Sequence, residues 1–103
     1  MCESLTSLTI PDSVIEIENS AFSYCSRLTS ITIGNGITSI GNKIFSGCSK
    51  ITTITCEATT PPTLGSDNNL SNIIAVYVPA ESVDLYKSAT NWSYYADKIQ
   101  PIQ

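Results

Sequence analysis

Cysteine is the reactive side chain that this sequence spaces most regularly. Cys25 follows Cys2 by 23 residues and Cys48 follows Cys25 by the same interval, whereas Cys56 falls outside this column. A zinc site needs ligands clustered as in C-x₂-C, and the chain has no histidine. Equivalent residues of stacked strands lie about 4.8 Å apart, which suits a disulfide, but their Cβ atoms point in parallel. We therefore expect buried free thiols that fill a slot in the core.

Nucleophilic hydrolysis would need a base beside a serine or cysteine, and the absence of histidine removes the usual one. Lysine can replace it in a Ser-x-x-Lys arrangement, but neither Lys43 nor Lys50 lies in a suitable setting. The segment Gly34-Asn35-Gly36 is typical of a turn and lacks the fingerprint of a phosphate-binding loop. We predict no catalytic residues, no metal and no cofactor.

Paired carboxylates are the remaining catalytic candidate, because glycoside hydrolysis uses two of them. Glu16 and Glu18 alternate along one stretch, and Asp67 lies in a later loop. At the positions 23 residues after the two glutamates the chain has Ser39 and Gly41. We therefore interpret Glu16 and Glu18 as solvent-facing residues, and expect that the protein is not an enzyme.

Hydroxyl side chains form the most regular candidate for binding. They alternate with aliphatic residues in segments that share the spacing L-x-x-L-x-I, so that in a strand they would point away from the core. Such an array, which ends at a tyrosine, offers hydrogen-bonding groups to a protein or a glycan; the alternative is a solvated face rich in residues that favour strands. The candidate ligand-binding residues are Ser7, Thr9, Ser30, Thr32, Thr53, Thr55 and Tyr77.

Two other segments are candidates for recognition. The polar stretch from Thr63 to Asn72 is long for a loop, and long loops often carry binding residues. Aromatic rings are concentrated near the C-terminal end, where they would either stack on sugar faces or seal a small cap. The rings in question are Trp92, Tyr77, Tyr86, Tyr94 and Tyr95.

An internal repeat must position all of these residues. Between residues 2–24 and 25–47, 10 of 23 positions are identical. A third copy starts at Cys48 and dissolves at Pro61-Pro62, and the spacing of Leu5 to Pro11 returns from Ile73 to Pro79. Units this short cannot bury their own apolar face, so they must stack and share one core.

The repeat predicts a β-rich α/β solenoid, a right-handed leucine-rich-repeat coil with 23-residue repeats, short parallel strands and a C-terminal helical cap. After each strand we expect a turn and a second extended stretch, Val14 to Ile17 or Ile37 to Ile40. A helical turn over residues 19–22 would then place Phe22 in the core. We assign residues 1–60 to the repeats and 61–103 to a degenerate last repeat and cap, within one structural domain.

The cap should consist of two helical stretches. Pro79 and Glu81 favour a helix start, followed by an apolar stripe at helical spacing that would cover the open end of the core. A second stripe resumes after Thr90-Asn91 and must end at Pro101. The two stripes are Val83, Tyr86 and Ala89, then Trp92, Tyr95, Ala96 and Ile99.

Composition limits the classes of partner. The 103 residues are 42% hydrophobic and 14% charged, with a formal net charge of −4. An acidic chain is a poor ligand for phosphate or anionic lipid, and no apolar run reaches the roughly 18 residues of a membrane span. We expect a folded chain that neither binds nucleic acid nor inserts into a membrane.

The first residues are interpreted as a partial start. Met1 to Ser4 have neither the basic start nor the apolar stretch of a signal peptide, and repeat-like sequence begins at residue 2. We expect further repeats and any export signal upstream in the native protein. Without them, the strand near Leu8 and Ile10 would have an unpaired edge, which favours self-association through the first repeat.

The repeats resemble the BspA-like leucine-rich repeats, also called the Treponema pallidum type, of bacterial surface proteins. The resemblance is carried by Leu28-Thr-Ser-Ile31-Thr-Ile33, Ile37-Thr-Ser-Ile40-Gly and Ile44-Phe45-Ser-Gly-Cys48, with a parallel set in residues 5–25. It covers about residues 2–56, and residues 76–92 are also similar to the closing segment of such proteins in gut Bacteroidetes.

This resemblance implies a secreted or surface-anchored protein, extracellular in its full-length form, and some relatives act as adhesins. It supplies no catalytic or ligand-binding motif that can be carried over to particular residues. The expected function is an adhesion or protein-interaction module that binds a host or microbial surface protein or glycan through the sheet face. The alternatives are a purely structural C-terminal cap of a longer array and glycan binding by the aromatic segment.

Overall fold

The computed structural model describes residues 5–22, 25–44, 50–65 and 73–102. We call 5–22, 25–44, 50–65 and 73–78 rungs one to four, and residues 79–102 the cap. The strands are β1 (Ser7–Ile10), β2 (Glu16–Ile17), β3 (Ser30–Ile33), β4 (Ser39–Ile40), β5 (Thr53–Cys56), β6 (Thr63–Leu64), β7 (Ala75–Val78) and β8 (Ile99–Pro101). The helix α1 (Val83–Ser88) lies between two 3₁₀ segments, Ala80–Ser82 and Trp92–Lys98.

The described strands all pair in parallel and form two sheets. The larger sheet has the order β1-β3-β5-β7-β8 and the smaller one the order β2-β4-β6. Ser7 pairs with Ser30 and Ser30 with Thr53, so that partners in these strands lie 23 positions apart. Thr53 pairs with Ala75, 22 positions later. The chain therefore has the parallel-strand repeat fold that its sequence predicts.

The strands form because apolar and polar residues alternate along them. In β3 and β5 the second and fourth residues are buried, while the first and third remain half-exposed. Apart from Ala75, the buried side chains of both sheets belong to one cluster, in which Leu28 and Ile31 are at most 1% exposed. Burial of an aliphatic side chain contributes about 1.5–3 kcal/mol, so the core shared between rungs is the main source of stability.

Residues 19–22, which follow β2, form turns and not the predicted helical turn. Ser20 has φ 62° and Lys43 has φ 55°, in the left-handed region, and such residues interrupt a right-handed helix. Phe22 still packs against the core, although it stays partly exposed. Phe45, its predicted counterpart, lies outside the described residues.

The cap confirms the first predicted stripe and most of the second, since Trp92, Tyr95 and Ala96 lie in the 3₁₀ segment Trp92–Lys98. Tyr86 on α1 is fully buried, and Val83 and Ala89 pack against the core. Ile99 was predicted to lie on a helix but belongs to β8, which pairs with β7 through Val76. Pro101 prevents a helix at this point, and the open edge of β7 offers hydrogen bonds to an extended chain instead.

Strand β6 was also not anticipated, because the repeat spacing is lost at Pro61-Pro62. The structure nevertheless pairs Thr63 with Ser39 and Leu64 with Ile40. The chain after the prolines therefore returns to the small sheet, and the edge of β4 is covered.

Candidate binding surface

The strand register brings the seven predicted binding residues onto one side of the larger sheet, which we call the sheet face. They form two columns, because equivalent positions of parallel strands lie side by side, about 4.8 Å apart. The first column is Ser7, Ser30 and Thr53, and the second is Thr9, Thr32, Thr55 and Tyr77.

Exposure along the sheet face differs between rungs. Ser7 and Thr9 are exposed, and the other five side chains are half-buried. The next position of the first column is Ala75, which is buried and has no hydroxyl, so this column ends at Thr53. The second column is longer, since it continues through Tyr77.

The hydroxyls of the sheet face make no hydrogen bonds to other residues that the structure describes. Other threonines of the same repeats behave differently: the Oγ1 atoms of Thr29, Thr38 and Thr52 donate to backbone carbonyls of the preceding rung at 2.9–3.3 Å. The repeat therefore contains two kinds of hydroxyl. One kind joins the rungs, and the kind on the sheet face remains available to water or a ligand.

Gln100 extends the second column and was missed in the sequence. It pairs with Tyr77 in β8 and is exposed. Its position before Pro101 was a usable signal, because a residue that precedes proline prefers an extended backbone. The sheet face thus ends in an aromatic ring beside a carboxamide.

The edge formed by the turns is occupied by structural hydrogen bonds. Asp12 Oδ1 accepts from the backbone N–H of Asn35 at 2.9 Å, and Asn19 Oδ1 accepts from that of Asn42 at 2.7 Å. A Cβ added to Gly34 would lie 2.5 Å from Asp12 Oδ1, so the close approach of Asp12 to this turn needs glycine at position 34. These polar side chains align neighbouring rungs.

Glu16 and Glu18, considered for glycoside chemistry, are exposed residues at β2. Glu16 pairs with Ser39, and both glutamates line a concavity of about 310 Å³ on the small sheet. Asp67 lies outside the described residues. Within the described ranges, no group of three or more histidine, cysteine, aspartate or glutamate residues is arranged to hold a metal ion.

The cysteines do not behave as one group. Cys25 is disulfide-bonded and fully buried, which corrects the prediction of a free thiol at that position. The parallel Cβ directions expected of stacked strands do not apply to Cys25, because it precedes its strand. Cys2 and Cys48, the other members of the column, lie outside the described residues.

Cys56 is a free, buried thiol. Burial raises its pKa, and the hydrogen-bonding contact with the Tyr86 hydroxyl, whose oxygen lies 3.3 Å from Cys56 Sγ, opposes this only in part. The thiolate is the nucleophilic form of cysteine, so this residue is poorly suited to catalysis. It fills the core position that Ile10 and Ile33 occupy in the preceding rungs, as its register predicts.

The aromatic residues of the cap are divided between core and surface. Trp92 and Tyr86 are at most 3% exposed, and their rings meet edge to face with centroids 5.1 Å apart. Their faces therefore cannot stack on a sugar, which removes both rings from the glycan platform considered above. Tyr94, in contrast, is 77% exposed, and Tyr77 is half-buried.

The predicted recognition loop from Thr63 to Asn72 is described only at its start. Thr63 and Leu64 belong to β6, and Gly65 follows them. Residues 66–72 lie outside the described residues. Across the described ranges, no helix is both long enough and apolar enough to span a bilayer.

Comparison with known families identifies the repeat. A family model for the BspA type leucine-rich repeat region, built of six copies, matches residues 1–89. This match covers all four rungs and α1. No curated protein matches the chain.

Proposed function

Because the chain belongs to the BspA-type leucine-rich repeat family, we propose that it is a non-catalytic interaction module that binds its ligand through the sheet face. Repeats of this family generally serve protein interaction and not catalysis. The proposed ligand is a surface protein or a glycan of a host or another microbe. The proposed setting is the extracellular part of a bacterial surface or secreted protein, acting in adhesion.

The observation that supports this proposal is the difference between the two kinds of hydroxyl. The Thr29 and Thr52 hydroxyls donate to carbonyls of the preceding rung, whereas the hydroxyls of Thr32 and Thr55, three residues later, have no partner among the described residues. A hydroxyl that already has a protein partner has little to offer a ligand. The second column therefore presents a row of available donors and acceptors about 4.8 Å apart.

Charge and shape support an uncharged polar ligand surface. None of the seven side chains is charged, so binding would depend on hydrogen bonds and on the rings and methyl groups between them. Tyr77 and Gln100 at one end offer an amphipathic ring and a carboxamide, which suit both protein surfaces and sugars. We further propose that the two sheets close into the right-handed solenoid predicted from the sequence, which keeps this face regular.

A capture experiment tests the proposal. The chain is applied to immobilised extracellular-matrix proteins and to an array of glycans. We compare it with a variant in which the second column is changed to lysine (Thr9→Lys, Thr32→Lys, Thr55→Lys and Tyr77→Lys). Four lysines on the sheet face should abolish capture.

The matched control places four lysines at exposed positions outside the sheet face: Ser13→Lys, Ser26→Lys, Thr60→Lys and Ser93→Lys. It changes the net charge equally and should keep full capture. Circular dichroism must show that both variants fold. Equal loss in both variants, or no capture of any immobilised partner by the parent chain, would contradict the proposal.

The alternative of a purely structural terminus makes the opposite prediction. If the chain only caps a longer array, the sheet-face variant should bind as the parent does. Glycan binding by exposed cap aromatics is tested by Tyr94→Ala in the same assay, and loss of capture there alone would favour it.

A further inference from the structure

The turn that joins β3 to β4 contains an asparagine followed by a glycine, Asn35-Gly36. An asparagine is modified without an enzyme when the backbone nitrogen of the next residue attacks its side-chain carbonyl carbon. Glycine is the most favourable next residue, because it has no Cβ to obstruct this approach. The other asparagines in the described part of the chain precede serine, lysine and tryptophan; they are Asn19, Asn42 and Asn91.

The Asn35 side chain is free to move. It is exposed, and its carboxamide makes no hydrogen bond within the described ranges. Other carboxamides of the chain are held in place. Asn19 Oδ1 accepts from the Asn42 backbone N–H at 2.7 Å, and Asn91 Nδ2 donates to the Leu64 carbonyl at 2.5 Å. The Asn35 carboxamide can therefore rotate towards the backbone nitrogen that follows it.

The attacking nitrogen is also unengaged. The Gly36 N–H donates to no other residue that the structure describes. The N–H one residue earlier, that of Asn35, donates to Asp12 Oδ1 at 2.9 Å. The main chain is thus fixed directly before the two reacting groups, while both groups remain free to approach each other.

Packing between rungs requires the glycine. A Cβ at Gly36 would overlap the carbonyl oxygen of Asp12 in rung one. At the equivalent positions rung one has Asp12-Ser13 and rung three has Ala58-Thr59. Of these three turns, that of rung two therefore combines a carboxamide with a glycine that cannot be replaced unless rung one moves.

We propose that Asn35 is a site of spontaneous deamidation and isomerisation in the folded chain. The Gly36 nitrogen attacks Asn35 Cγ, so that a C–N bond forms and the bond from Cγ to Nδ2 breaks. The leaving nitrogen takes up the proton lost from Gly36 and departs as ammonia. Water then opens the resulting succinimide ring. Opening at one carbonyl gives aspartate, and opening at the other gives isoaspartate, in which the main chain runs through Cβ and Cγ.

Both products weaken the contact between rungs one and two. Aspartate places a second carboxylate beside Asp12, whose Oδ1 lies 2.9 Å from the backbone nitrogen of residue 35, and like charges repel. Isoaspartate also lengthens the main chain by one methylene group ahead of β4. Because β4 is the middle strand of the small sheet and pairs with both β2 and β6, this product disturbs the fold more.

The test incubates the folded chain in mildly alkaline buffer at physiological temperature, since base removes the Gly36 amide proton. Mass spectrometry of peptides detects the replacement of an amino group by a hydroxyl at each asparagine. An aspartate-specific endoproteinase distinguishes the products, because it does not cleave before isoaspartate. We expect Asn35 to react at least about tenfold faster than Asn19, Asn42 or Asn91, because glycine leaves the approach open.

A free peptide of residues 30–40 shows whether the native turn permits the reaction. Asn35 in the folded chain should react within about tenfold of its rate in the peptide, because the turn leaves both reacting groups free. A slower reaction in the folded chain would overturn the proposal, since the turn would then protect Asn35. The proposal also fails if Asn19 or Asn42 reacts as fast as Asn35.

The matched control is Asn35→Gln, which keeps a carboxamide but would have to form a larger ring. It should remain unmodified at this position and keep its melting temperature throughout the incubation. The isoaspartate form of the parent, separated by ion exchange, should melt about 4 °C or more below the fresh chain, and below Asn35→Asp. Equal loss of melting temperature in the parent and in Asn35→Gln would contradict the proposed effect on the rungs.

Discussion

The indole Nε1 of Trp92 donates a 2.8 Å hydrogen bond to the carbonyl oxygen of Pro62, which lies 30 residues earlier in the chain. This contact lies beside β6, the last strand of the small sheet. Tyr86 donates in the same way to the carbonyl of Ala58 at 2.7 Å. The cap therefore ends the repeats by satisfying carbonyls that a following rung would otherwise bind, and its buried rings cover the core.

Trp92→Phe tests the role of this contact. The Pro62 carbonyl is buried, so loss of its donor leaves an unsatisfied polar group, and the smaller ring leaves a cavity. We expect the free energy of unfolding to fall by about 2–4 kcal/mol in urea titrations. Tyr94→Phe, at the exposed neighbouring ring, should change it by less than about 0.5 kcal/mol. Similar small effects for both variants would argue against the contact.

Asp12 and Asn35 offer a comparison within the repeat. Asp12 Oδ1 accepts a hydrogen bond from the backbone N–H of Asn35. The Asn35 side chain makes no hydrogen bond to a described residue, and the equivalent position of the next rung is Ala58. Asp12→Ala should therefore cost about 1 kcal/mol, and Asn35→Ala close to nothing. Asp12→Asn keeps an acceptor and should preserve stability. Chemical denaturation measures all three, and an equal cost for the two alanine variants would show that the side-chain acceptor is unimportant.

Much of the fold was predictable because the repeat fixes the register of its strands. The spacing of Leu28, Ile31 and Ile33 identifies one strand, and recurrence of that spacing identifies its neighbours. The two columns of the sheet face follow from the same register. The ligand of these columns cannot be predicted in this way, because an outward hydroxyl has the same spacing whether it faces water or a ligand.

The unpredicted features depend on contacts between distant residues. Strand β8 forms because β7 has an open edge, and the isolated pattern around Ile99 is equally compatible with a helix. The positive φ of Ser20 is stabilised by its backbone hydrogen bond to Asn42 in the next rung, which no local propensity encodes.

Stability should decrease in alkaline solution because of the buried pair Cys56 and Tyr86. Burial raises the pKa of both groups, so the folded chain holds their protons more tightly than the unfolded chain does. Their contribution to the free energy of unfolding is fully present below the ordinary thiol pKa of 9.0 and is lost as the pH rises beyond it. Cys56→Val should reduce the slope of unfolding free energy above pH 9 by up to about 1.4 kcal/mol per pH unit. Identical slopes for variant and parent would contradict this account.

The oxidation state of the cysteines is directly measurable. Of the four cysteines, the bond at Cys25 occupies two, so iodoacetamide should label two in the denatured, unreduced chain and four after reduction. In the folded chain Cys56 should resist labelling at pH 8, since its thiol is buried and its pKa is raised. Mass spectrometry gives both counts. Four labels without reduction would exclude the disulfide.

The most direct test of ligand binding by the sheet face is to remove its hydroxyls without adding charge. The variant combines Thr9→Val, Thr32→Val, Thr55→Val and Tyr77→Phe, which retain side-chain shape and strand preference. The measurement is the Kd, by biolayer interferometry, for a matrix protein or glycan that the parent chain captures. We predict at least a tenfold weaker Kd at an unchanged urea midpoint. An unchanged Kd in the folded variant would contradict binding through the sheet face.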